Sequence, residues 1–378
     1  MSVAHTAILK ANEGELKALA NLDDSTFLRL LPLLEVGPLT DAVRGRRYML
    51  ANQAPNLTYL DRKLGRVGPV LVGRTTMVDG FQWAPDARVE SGSHVIAYMI
   101  SKLRSLGISV IPVVGYDRWE STEYRQGLKS VPPRDDGRFC IRFDTTAIDD
   151  VAEPEHFQTV VQDIIEELAL DPTSCLALLD FADIFGANMP LEHLVSKATD
   201  MICQLEKWNF HHYAVAGCSL PGTINLAVAK PDSVGFVLRK EMLLWQALRT
   251  AFPLLRIGSG DYGVRGPTTS EAPSLYTNGK IRHTSDKQML VVRGHPFRTD
   301  GGRFTQLHGL AAQVVASPHY LGEAFSWGDS QIMRCSQREI LGAAGDWIAI
   351  DTNHHLTFVI QEAEQFEQAI VAKALSFT

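Results

Sequence analysis

Charged side chains end several short apolar runs of this sequence or lie inside them. Glu35 follows the run that begins at Leu31, and Asp180 follows the run that begins at Leu176. Arg142 lies within the sequence Phe-Cys-Ile-Arg-Phe-Asp. An ionised group in a buried strand is costly unless it is paired or faces a cavity, so we expect these side chains to share one site.

Polar residues of the same kind recur at the ends of the other predicted strands. The full set is Lys10, Glu35, Arg74, Asp117, Arg142 with Asp144, Asp180, Ser219, and Asp261 with Tyr262. In a parallel barrel, the carboxyl ends of all strands meet at one face, and that face carries the active site. The pattern therefore predicts one polar site.

Two chemistries suit this set. Carboxylates at one sheet edge can hold a hard divalent cation such as Mg²⁺, which prefers oxygen ligands. The carboxylates in question are Glu35, Asp144, Asp180 and Asp261. Alternatively, Lys10 and Arg142 bind the phosphate or carboxylate of a substrate while one carboxylate acts as a general base. No strand end carries an HxH or DxD pair, which favours the second chemistry and leaves the identity of any metal open.

Roles are assigned on this basis. The predicted catalytic residues are Glu35, Asp180 and Asp261, and the predicted substrate-binding residues are Lys10, Arg142, Ser219, Tyr262 and His355. Tyr262 lies in Gly258-Ser-Gly-Asp-Tyr-Gly263, a candidate phosphate-binding loop after the last strand. This loop lacks the GxxxxGK(S/T) spacing, and the residues around Ser219 are not the GxSxG of a serine hydrolase.

Eight short apolar runs alternate with longer amphipathic segments. The predicted strands are residues 7–10, 31–36, 69–74, 108–114, 139–144, 176–180, 213–219 and 254–258. The clearest predicted helices are residues 13–22, 94–106, 155–170, 191–208 and 241–250. This order predicts an α/β fold, a (β/α)₈ TIM-like barrel. The alternative is an open doubly wound sheet, but the first βα turn has no GxGxxG.

The last hundred or so residues follow a different pattern. Residues 280–293 read as a hairpin, 303–315 as a helix, 347–350 as a strand and 356–375 as a terminal helix. Phe304, Leu307, Leu310 and Val314 share one apolar face and should be buried against the rest of the protein. We predict a barrel over residues 1–280 and an α+β cap, packed on it and not independent, over residues 281–378.

Composition excludes several classes of protein. The 378 residues carry a formal net charge of −7 and are 45% hydrophobic, which indicates a globular chain without a strong nucleic-acid signature. No apolar run approaches the roughly 20 residues of a membrane span. The five cysteines are widely spaced, and the first residues do not resemble a signal peptide. We therefore expect a cytoplasmic protein with reduced thiols.

Several blocks of the sequence resemble one family. They are Ile8-Leu-Lys-Ala-Asn-Glu-Gly-Glu, Leu31-Pro-Leu-Leu-Glu35, Arg239-Lys-Glu-Met-Leu-Leu-Trp245, Gly260-Asp-Tyr-Gly, and Trp347 with Asn353-His-His355. The blocks are similar to those of the phage- and bacterium-encoded beta protein family. The resemblance implies a single barrel-like unit with matching positions at Lys10, Glu15, Glu35, Asp180, Asp261, Tyr262 and His355. It implies no particular reaction, only an association with phages and defence loci.

The sequence is compatible with two functions. The first is a barrel enzyme of a phage or anti-phage defence system that hydrolyses a phosphoester of a phosphorylated or nucleotide-type substrate, with a cation such as Mg²⁺ as a candidate cofactor. The second is a non-catalytic barrel that binds a small ligand or a partner protein from the same operon or phage. Convergence of the strand-end residues around an open pocket would favour the enzyme.

Overall fold

The computed structural model describes residues 3–131, 137–267, 277–301 and 304–375. Eight parallel strands close into a barrel in the order β1-β2-β3-β4-β5-β6-β7-β9. They are β1 (His5–Leu9), β2 (Leu30–Glu35), β3 (Thr75–Asp79), β4 (Ser109–Gly115), β5 (Cys140–Phe143), β6 (Leu176–Asp183), β7 (His212–Cys218) and β9 (Ile257–Asp261). The predicted α/β barrel is therefore confirmed, and the open doubly wound sheet is excluded.

Helices surround this barrel and continue into the C-terminal part. They are α1 (Glu13–Ala20), α2 (Asp24–Phe27), α3 (Asp41–Arg44), α4 (Pro55–Gly65), α5 (Gly68–Leu71), α6 (Val95–Ser105), α7 (Thr122–Lys129), α8 (Thr145–Asp150), α9 (Pro154–Glu167), α10 (Leu191–Leu205), α11 (Ile224–Ala227), α12 (Lys240–Ala251), α13 (Gln306–Val315), α14 (Trp327–Ser336) and α15 (Ala344–Leu375). None of the helices in the described residues is both long and apolar enough to cross a membrane.

The strands have two buried faces. Leu33 of β2 and Leu178 of β6 belong to an apolar cluster inside the barrel, whereas their neighbours Leu34 and Leu179 pack outward against the helices. Both faces are apolar, as in other parallel sheets covered by helices, so the strands read as continuous apolar runs. The alternation also fixes which strand-end residues point into the barrel.

A three-stranded antiparallel sheet lies over one end of the barrel. Its order is β10 (Asn278–Ser285), β11 (Gln288–Pro296) and β8 (Ser233–Leu238). Met289 and Val291 join the cluster that contains Tyr262, whereas Ile281 on the other face packs against α13, α14 and α15. The sheet is therefore covered on both faces over part of its area.

The C-terminal helices pack as their apolar pattern predicts. Leu307, Leu310 and Val314 of α13 are buried, and Phe304 is partly buried beside them. Helix α15 lies so close to α1 that a Cβ at Gly14 would be 2.7 Å from a carbonyl oxygen of α15. Because β8 comes from residues before 280 and pairs with β11 after it, the two parts share a sheet. The division at residue 280 stays a prediction.

Three predicted strands need correction. Residues 69–71 of the predicted strand 69–74 belong to the short helix α5, which a Gly-Pro pair begins, and the third strand is β3 instead. The eighth barrel strand starts at Ile257, because Leu254 is 97% exposed and lies before it. Residues 347–350 lie within α15, where Trp347 and Ile350 are buried three residues apart, at helical spacing. Strand β8 was not predicted, and residue 303 lies outside the described residues.

Candidate functional site

Four strands of the barrel carry an inward-facing charged residue at or near their carboxyl ends. These are Glu35 of β2, Asp79 of β3, Arg142 of β5 and Asp180 of β6, each in phase with the interior apolar residue two positions earlier. All four are buried. Together with Arg118 and Tyr262, which contact them, they form what we call the mouth group.

The guanidinium of Arg142 lies at the centre of the mouth group. Its Nη1 donates to Oδ2 of Asp79 at 2.8 Å, and its Nε donates to Oδ2 of Asp180 at 2.9 Å. Its Nη2 donates to the hydroxyl of Tyr262 at 2.9 Å. Nη2 also lies 2.7 Å from Oε1 of Glu35, but without the geometry of a hydrogen bond. One cation therefore holds three carboxylates.

Arg118, which follows β4, supplies a second guanidinium. Its Nη1 and Nη2 donate to the two oxygens of Asp79 at 2.9 and 3.4 Å. A Cβ at Gly115 would lie 1.9 Å from Nη2, so glycine leaves the space that this guanidinium occupies. The ring centre of Phe81 lies 5.6 Å from Arg118 and 4.4 Å from Arg142, within the range of a cation–π contact.

The end of β6 is shaped around Asp180. A bulge interrupts its pairing with β7, and Ala182 has a φ of +50°, a conformation that costs a residue with a side chain of order 1–3 kcal/mol. The backbone N–H of Ala182 donates to Oδ1 of Asp180 at 2.9 Å, while the hydroxyl of Tyr262 donates to Oδ2 at 2.7 Å. Both oxygens of Asp180 are thereby held in place.

Burial and charge separate the acidities of these groups. Burial raises the pKa of Glu35, and the charges of Asp79 and Asp180 add to this effect against the opposing charge of Arg142. Burial also acts on Asp79, but the charges of Arg118 and Arg142 outweigh it and hold the pKa of Asp79 below its ordinary value. Glu35 is therefore the carboxyl that keeps its proton most readily in this comparison, and Asp79 is ionised.

Three predicted site residues do not face the interior of the barrel. Asp261 is one position out of phase with the inward-facing Tyr262, and its oxygens contact His5 and His355. Ser219 faces helix α12, where its hydroxyl donates to Glu241. The structure therefore brings Glu35, Arg142, Asp180 and Tyr262 together, but not Asp261, His355 or Ser219.

The remaining candidate residues have other contacts. Nζ of Lys10 donates to the carbonyl of Pro267 at 3.1 Å. Asp144 accepts from the backbone N–H of Ala147 at 3.3 Å and so caps helix α8. Asp117 accepts from Arg118 at 3.1 Å beside the mouth group. Arg74 pairs with Asp24 at the surface, and Glu15 accepts from the backbone N–H of Asn12 in a capping box.

The predicted cluster of carboxylates does not form a cage for Mg²⁺. Of the four predicted carboxylates only Glu35 and Asp180 converge, whereas Asp144 caps α8 and Asp261 contacts His5 and His355. The unpredicted Asp79 joins Glu35 and Asp180, but the guanidinium of Arg142 lies between the three carboxylates. A divalent cation needs the same oxygens, and it would be repelled by the arginine at this distance. The oxygens at the mouth are therefore those of an ion-pair network.

The sequence-based prediction missed Asp79 and Arg118. The signal for Asp79 was present, since it closes the run Thr75-Thr-Met-Val, but residues 69–74 had been assigned to the third strand. Arg118 lies outside a strand, in a short 3₁₀ turn after β4, and no periodic pattern directs its side chain.

The fold and the mouth group define the class of protein, a closed (β/α)₈ barrel with a buried charged group at its strand ends. The profile of the Beta protein family matches residues 6–361, and the chain belongs to that family. Among curated proteins, no significant match to the chain exists.

The chain resembles two solved structures loosely. The biosynthetic arginine decarboxylase SpeA from Campylobacter jejuni shares 9% identity with a TM-score of 0.38, and the match covers 96% of this chain and 56% of that one. The carboxyl transferase domain of Rhizobium etli pyruvate carboxylase shares 15% identity with a TM-score of 0.28, covering 96% and 48%. The chain thus spans about half the length of these proteins, and superpositions this loose do not bear on substrate or reaction.

Proposed function

We propose that the barrel is an enzyme and that the mouth group performs acid–base chemistry, with Glu35 as the proton donor. The observation that carries the proposal is the environment of Glu35. It is a buried carboxyl with a raised pKa, and its Oε1 lies 2.7 Å from Nη2 of Arg142 without the geometry of a hydrogen bond. The neighbouring carboxylates have fixed partners. Paired carboxyls with acidities driven apart are the usual arrangement for an acid and a base.

The charge balance of the mouth group supports this assignment. Glu35, Asp79 and Asp180 face two guanidinium groups, those of Arg118 and Arg142. An arginine does not lose its proton in a protein, so the excess negative charge is relieved by protonation of a carboxyl. Glu35 is the carboxyl whose pKa is raised, and it would therefore enter the reaction as an acid.

The substrate that we propose is phosphorylated or nucleotide-like. Its anion would bind to basic side chains near residues 264–267, beyond the last barrel strand. Lys10 donates to the carbonyl of Pro267, and Arg282 donates to the carbonyl of Val264 at 2.5 Å. Burial, together with the charges of Arg282 and Arg265 and against the charge of Asp351, lowers the pKa of Lys280 to about 8. A phosphate would relieve the repulsion among these cations.

The proposed reaction is hydrolysis of a phosphoester. The oxygen of a water molecule forms the new P–O bond while the bond to the leaving alcohol breaks. Glu35 gives its proton to the leaving oxygen, and Asp180 accepts a proton from the attacking water. The part that such an enzyme plays in a phage or in anti-phage defence, with a partner protein from the same operon, is proposed from family association alone.

One observation favours the second candidate function, a barrel that binds a ligand or partner without catalysis. Arg142 is 1% exposed and contacts three carboxylates and a tyrosine, so its donors are already used within the protein. A network of this kind is able to have a purely structural role, in which it holds strands β2, β3, β5 and β6 together.

Glu35→Gln and Asp180→Asn distinguish the two functions. The substrates for the assay are 4-nitrophenyl phosphate, bis(4-nitrophenyl) phosphate and a panel of nucleotides. We expect the wild-type protein to hydrolyse a phosphoester, and each variant to lose activity about 10²–10⁴-fold, the usual contribution of a general acid or base. Glu15→Gln is the matched control, because Glu15 is also a buried carboxyl and glutamine serves equally in a capping box.

Thermal melts complete this test. Intact folding with lost activity in Glu35→Gln supports the enzyme. A large fall in Tm with unchanged hydrolysis identifies the mouth group as a structural network, and absence of hydrolysis by the wild-type protein rejects the proposed reaction. Plaque counts on cells that express the wild-type protein or Glu35→Gln test the defence role separately.

A further inference from the structure

A second buried polar cluster lies on the outer face of the barrel wall. It consists of His5 of β1, Asp261 of β9 and His355 of α15, which are 0%, 2% and 1% exposed. Nε2 of His355 lies 2.8 Å from Oδ2 of Asp261, and Nε2 of His5 lies 3.4 Å from Oδ1. We call these three residues the seam group, because β1 and β9 are the first and last strands and pair where the barrel closes.

The protons of His5 can be placed from its neighbours. The hydroxyl of Ser259 donates its one proton to the carbonyl of Ala4 at 3.0 Å, so it accepts from Nδ1 of His5 at 2.9 Å. The other ring nitrogen, Nε2, then carries a lone pair. Nothing in the described residues gives Nε2 a hydrogen bond, and it faces the carboxylate of Asp261. Two buried acceptors that face each other call for a cation between them.

His355 is oriented in the same way. Its Nδ1 is hydrogen-bonded to the hydroxyl of Thr284 at 2.8 Å, and its Nε2 points to Asp261. Both histidines therefore anchor Nδ1 on a hydroxyl and present Nε2 to the same carboxylate. Histidines that ligate a metal are usually held by a hydrogen bond at the ring nitrogen away from the metal.

We propose that the seam group binds a transition-metal dication of the Zn²⁺ class through the two Nε2 atoms and Asp261. The three ligand atoms lie within 4.8 Å of one another. In a tetrahedral site with bonds of about 2.0–2.1 Å, neighbouring ligand atoms are about 3.4 Å apart, which matches Nε2 of His5 and Oδ1 of Asp261. Nε2 of His355 lies 2.8 Å from the other oxygen, Oδ2, and this contact would open by about half an ångström. Two imidazoles and one carboxylate suit zinc-like ions better than Mg²⁺.

A neighbouring cluster shows why the seam group is the better site. His283, Asp329 and His354 also lie close together, but the two imidazole rings are stacked, with centres 3.7 Å apart and an angle of 16°. A ring-nitrogen lone pair lies in the plane of its ring, so a single ion cannot lie in both of these planes. His354 instead has a carboxylate oxygen at 2.7 Å and a carbonyl oxygen at 2.9 Å, one at each nitrogen, so both ring nitrogens already face oxygen atoms of the protein.

The metal content of the full-length protein tests this proposal. Protein purified without chelator is analysed by mass spectrometry of metals, stripped with EDTA, and titrated with Zn²⁺ and with Co²⁺ as a spectroscopic probe. We expect one ion per chain, visible d–d absorption of bound Co²⁺, and a rise in Tm when Zn²⁺ is added. His5→Gln and His355→Gln should lower metal affinity at least tenfold, whereas His283→Gln, the matched control, should not.

Each other outcome overturns the proposal. If both His5→Gln and His355→Gln still bind one metal ion per chain, the metal site lies elsewhere in the protein. Wild-type protein that binds neither ion and keeps its Tm in Zn²⁺ and in EDTA holds a proton, not a metal, between His5 and Asp261. This second result needs no variant to fold. The seam group lies across the barrel wall from the mouth group, so either result leaves the proposed hydrolase untouched.

Discussion

The mouth group and the seam group are both buried and charged, but their cations differ. In the mouth group, carboxylates pair with the guanidinium groups of Arg118 and Arg142, which keep their protons at any ordinary pH. In the seam group, Asp261 faces two imidazoles, which can give up a proton and take a metal instead. The buried carboxylates inside the barrel therefore have partners of fixed charge, whereas the buried carboxylate on its outer face has partners whose charge can change.

The two groups also join different parts of the chain. Every member of the mouth group comes from the barrel strands or the segments that follow them, whereas the seam group links strands β1 and β9 to helix α15. Loss of the mouth group should loosen the barrel itself. Loss of the seam group should loosen the attachment of the C-terminal helix.

The largest effect is expected from removal of the C-terminal part. A chain that ends at residue 280 loses His355 and Glu362, which leaves Asp261 and Arg239 buried without these partners. It also loses β11, the strand that pairs with β8. We expect this fragment to aggregate, as judged by light scattering and the absence of a cooperative melt.

A chain that ends at Glu367 is the control for this truncation. It retains His355 and Glu362, and it should melt cooperatively. If the fragment of residues 1–280 is monomeric and melts cooperatively, the C-terminal part is an independent domain and the predicted cap is wrong.

The contrast between Glu35 and Asp261 shows how far sequence could predict the site. Glu35 and Asp180 were found because an ionised residue at the end of an apolar run needs a partner or a cavity, and both do point into the mouth. Asp261 ends a strand as well, but it is out of phase with the interior residues of that strand. The strand ends could be predicted from sequence. Whether a strand-end side chain points into or out of the barrel depends on its position relative to the interior residues of the strand, and this was obscured because the start of β9 was misplaced.

The fold was predictable for a similar reason. Strands buried on both faces are continuous apolar runs, and these runs alternate with amphipathic helices, so the barrel could be predicted although the third strand was misplaced. Strand β8 could not be recognised in this way, because Val234, Phe236 and Leu238 are about half exposed and its partner β11 lies some fifty residues further along the chain. Pairing over such a distance leaves no local pattern in sequence.

Arg142→Met should produce the next largest effect. The substitution leaves Glu35 and Asp180 buried without their cation, while Asp79 keeps Arg118. We expect a loss of about 3–5 kcal/mol in the free energy of unfolding, measured by urea denaturation at pH 7.5. Part of the loss should be recovered at pH 5, where the carboxyls take up protons more easily.

The double variant Arg142→Met with Asp180→Asn is the control, since it removes a negative charge together with the positive one. It should be more stable than Arg142→Met alone. A loss below about 1 kcal/mol in the single variant, the range of exposed pairs, would mean that the mouth is solvated and that the comparison with the seam group fails.

A smaller effect is expected from Glu241, which lies on α12 behind the barrel wall. Burial raises its pKa to about 7, against the charge of Arg239 and the hydrogen bond from Ser219. The folded protein therefore binds a proton that the unfolded chain has lost, and stability falls as pH rises from about 4.5 to about 7. Glu241→Gln should abolish this pH dependence. The free energy of unfolding of the variant, relative to that of the wild type, should therefore rise by about 2–3 kcal/mol from pH 5 to pH 8. Urea denaturation of both proteins at pH 5 and at pH 8 measures this difference in stability.

The control for Glu241 is the pH dependence that remains in the variant. His212 and His283 have pKa values lowered from 6.5 by burial to about 4 and about 3, so they destabilise the fold as pH falls below about 6.5, where the unfolded chain takes up their protons. They act equally in both proteins. A constant stability difference between wild type and variant from pH 5 to pH 8 would show that Glu241 is ionised in the folded state throughout.

The smallest effect is expected from the exposed ion pair that also joins the barrel to α15. Nζ of Lys17 on α1 lies 2.7 Å from Oδ1 of Asp346, and the two side chains are 45% and 39% exposed. Solvent and salt screen such a pair, so a double-mutant cycle of Lys17→Ala and Asp346→Ala should give a coupling below about 1 kcal/mol, smaller still at high salt. The cycle is needed because Asp346 also accepts from the backbone N–H of Ala343 at 2.9 Å, and this cap is lost in the single variant. If the coupling instead equals the loss caused by Arg142→Met, burial does not govern the strength of charge pairs in this protein. The distinction between its buried groups and its surface would then have no energetic basis.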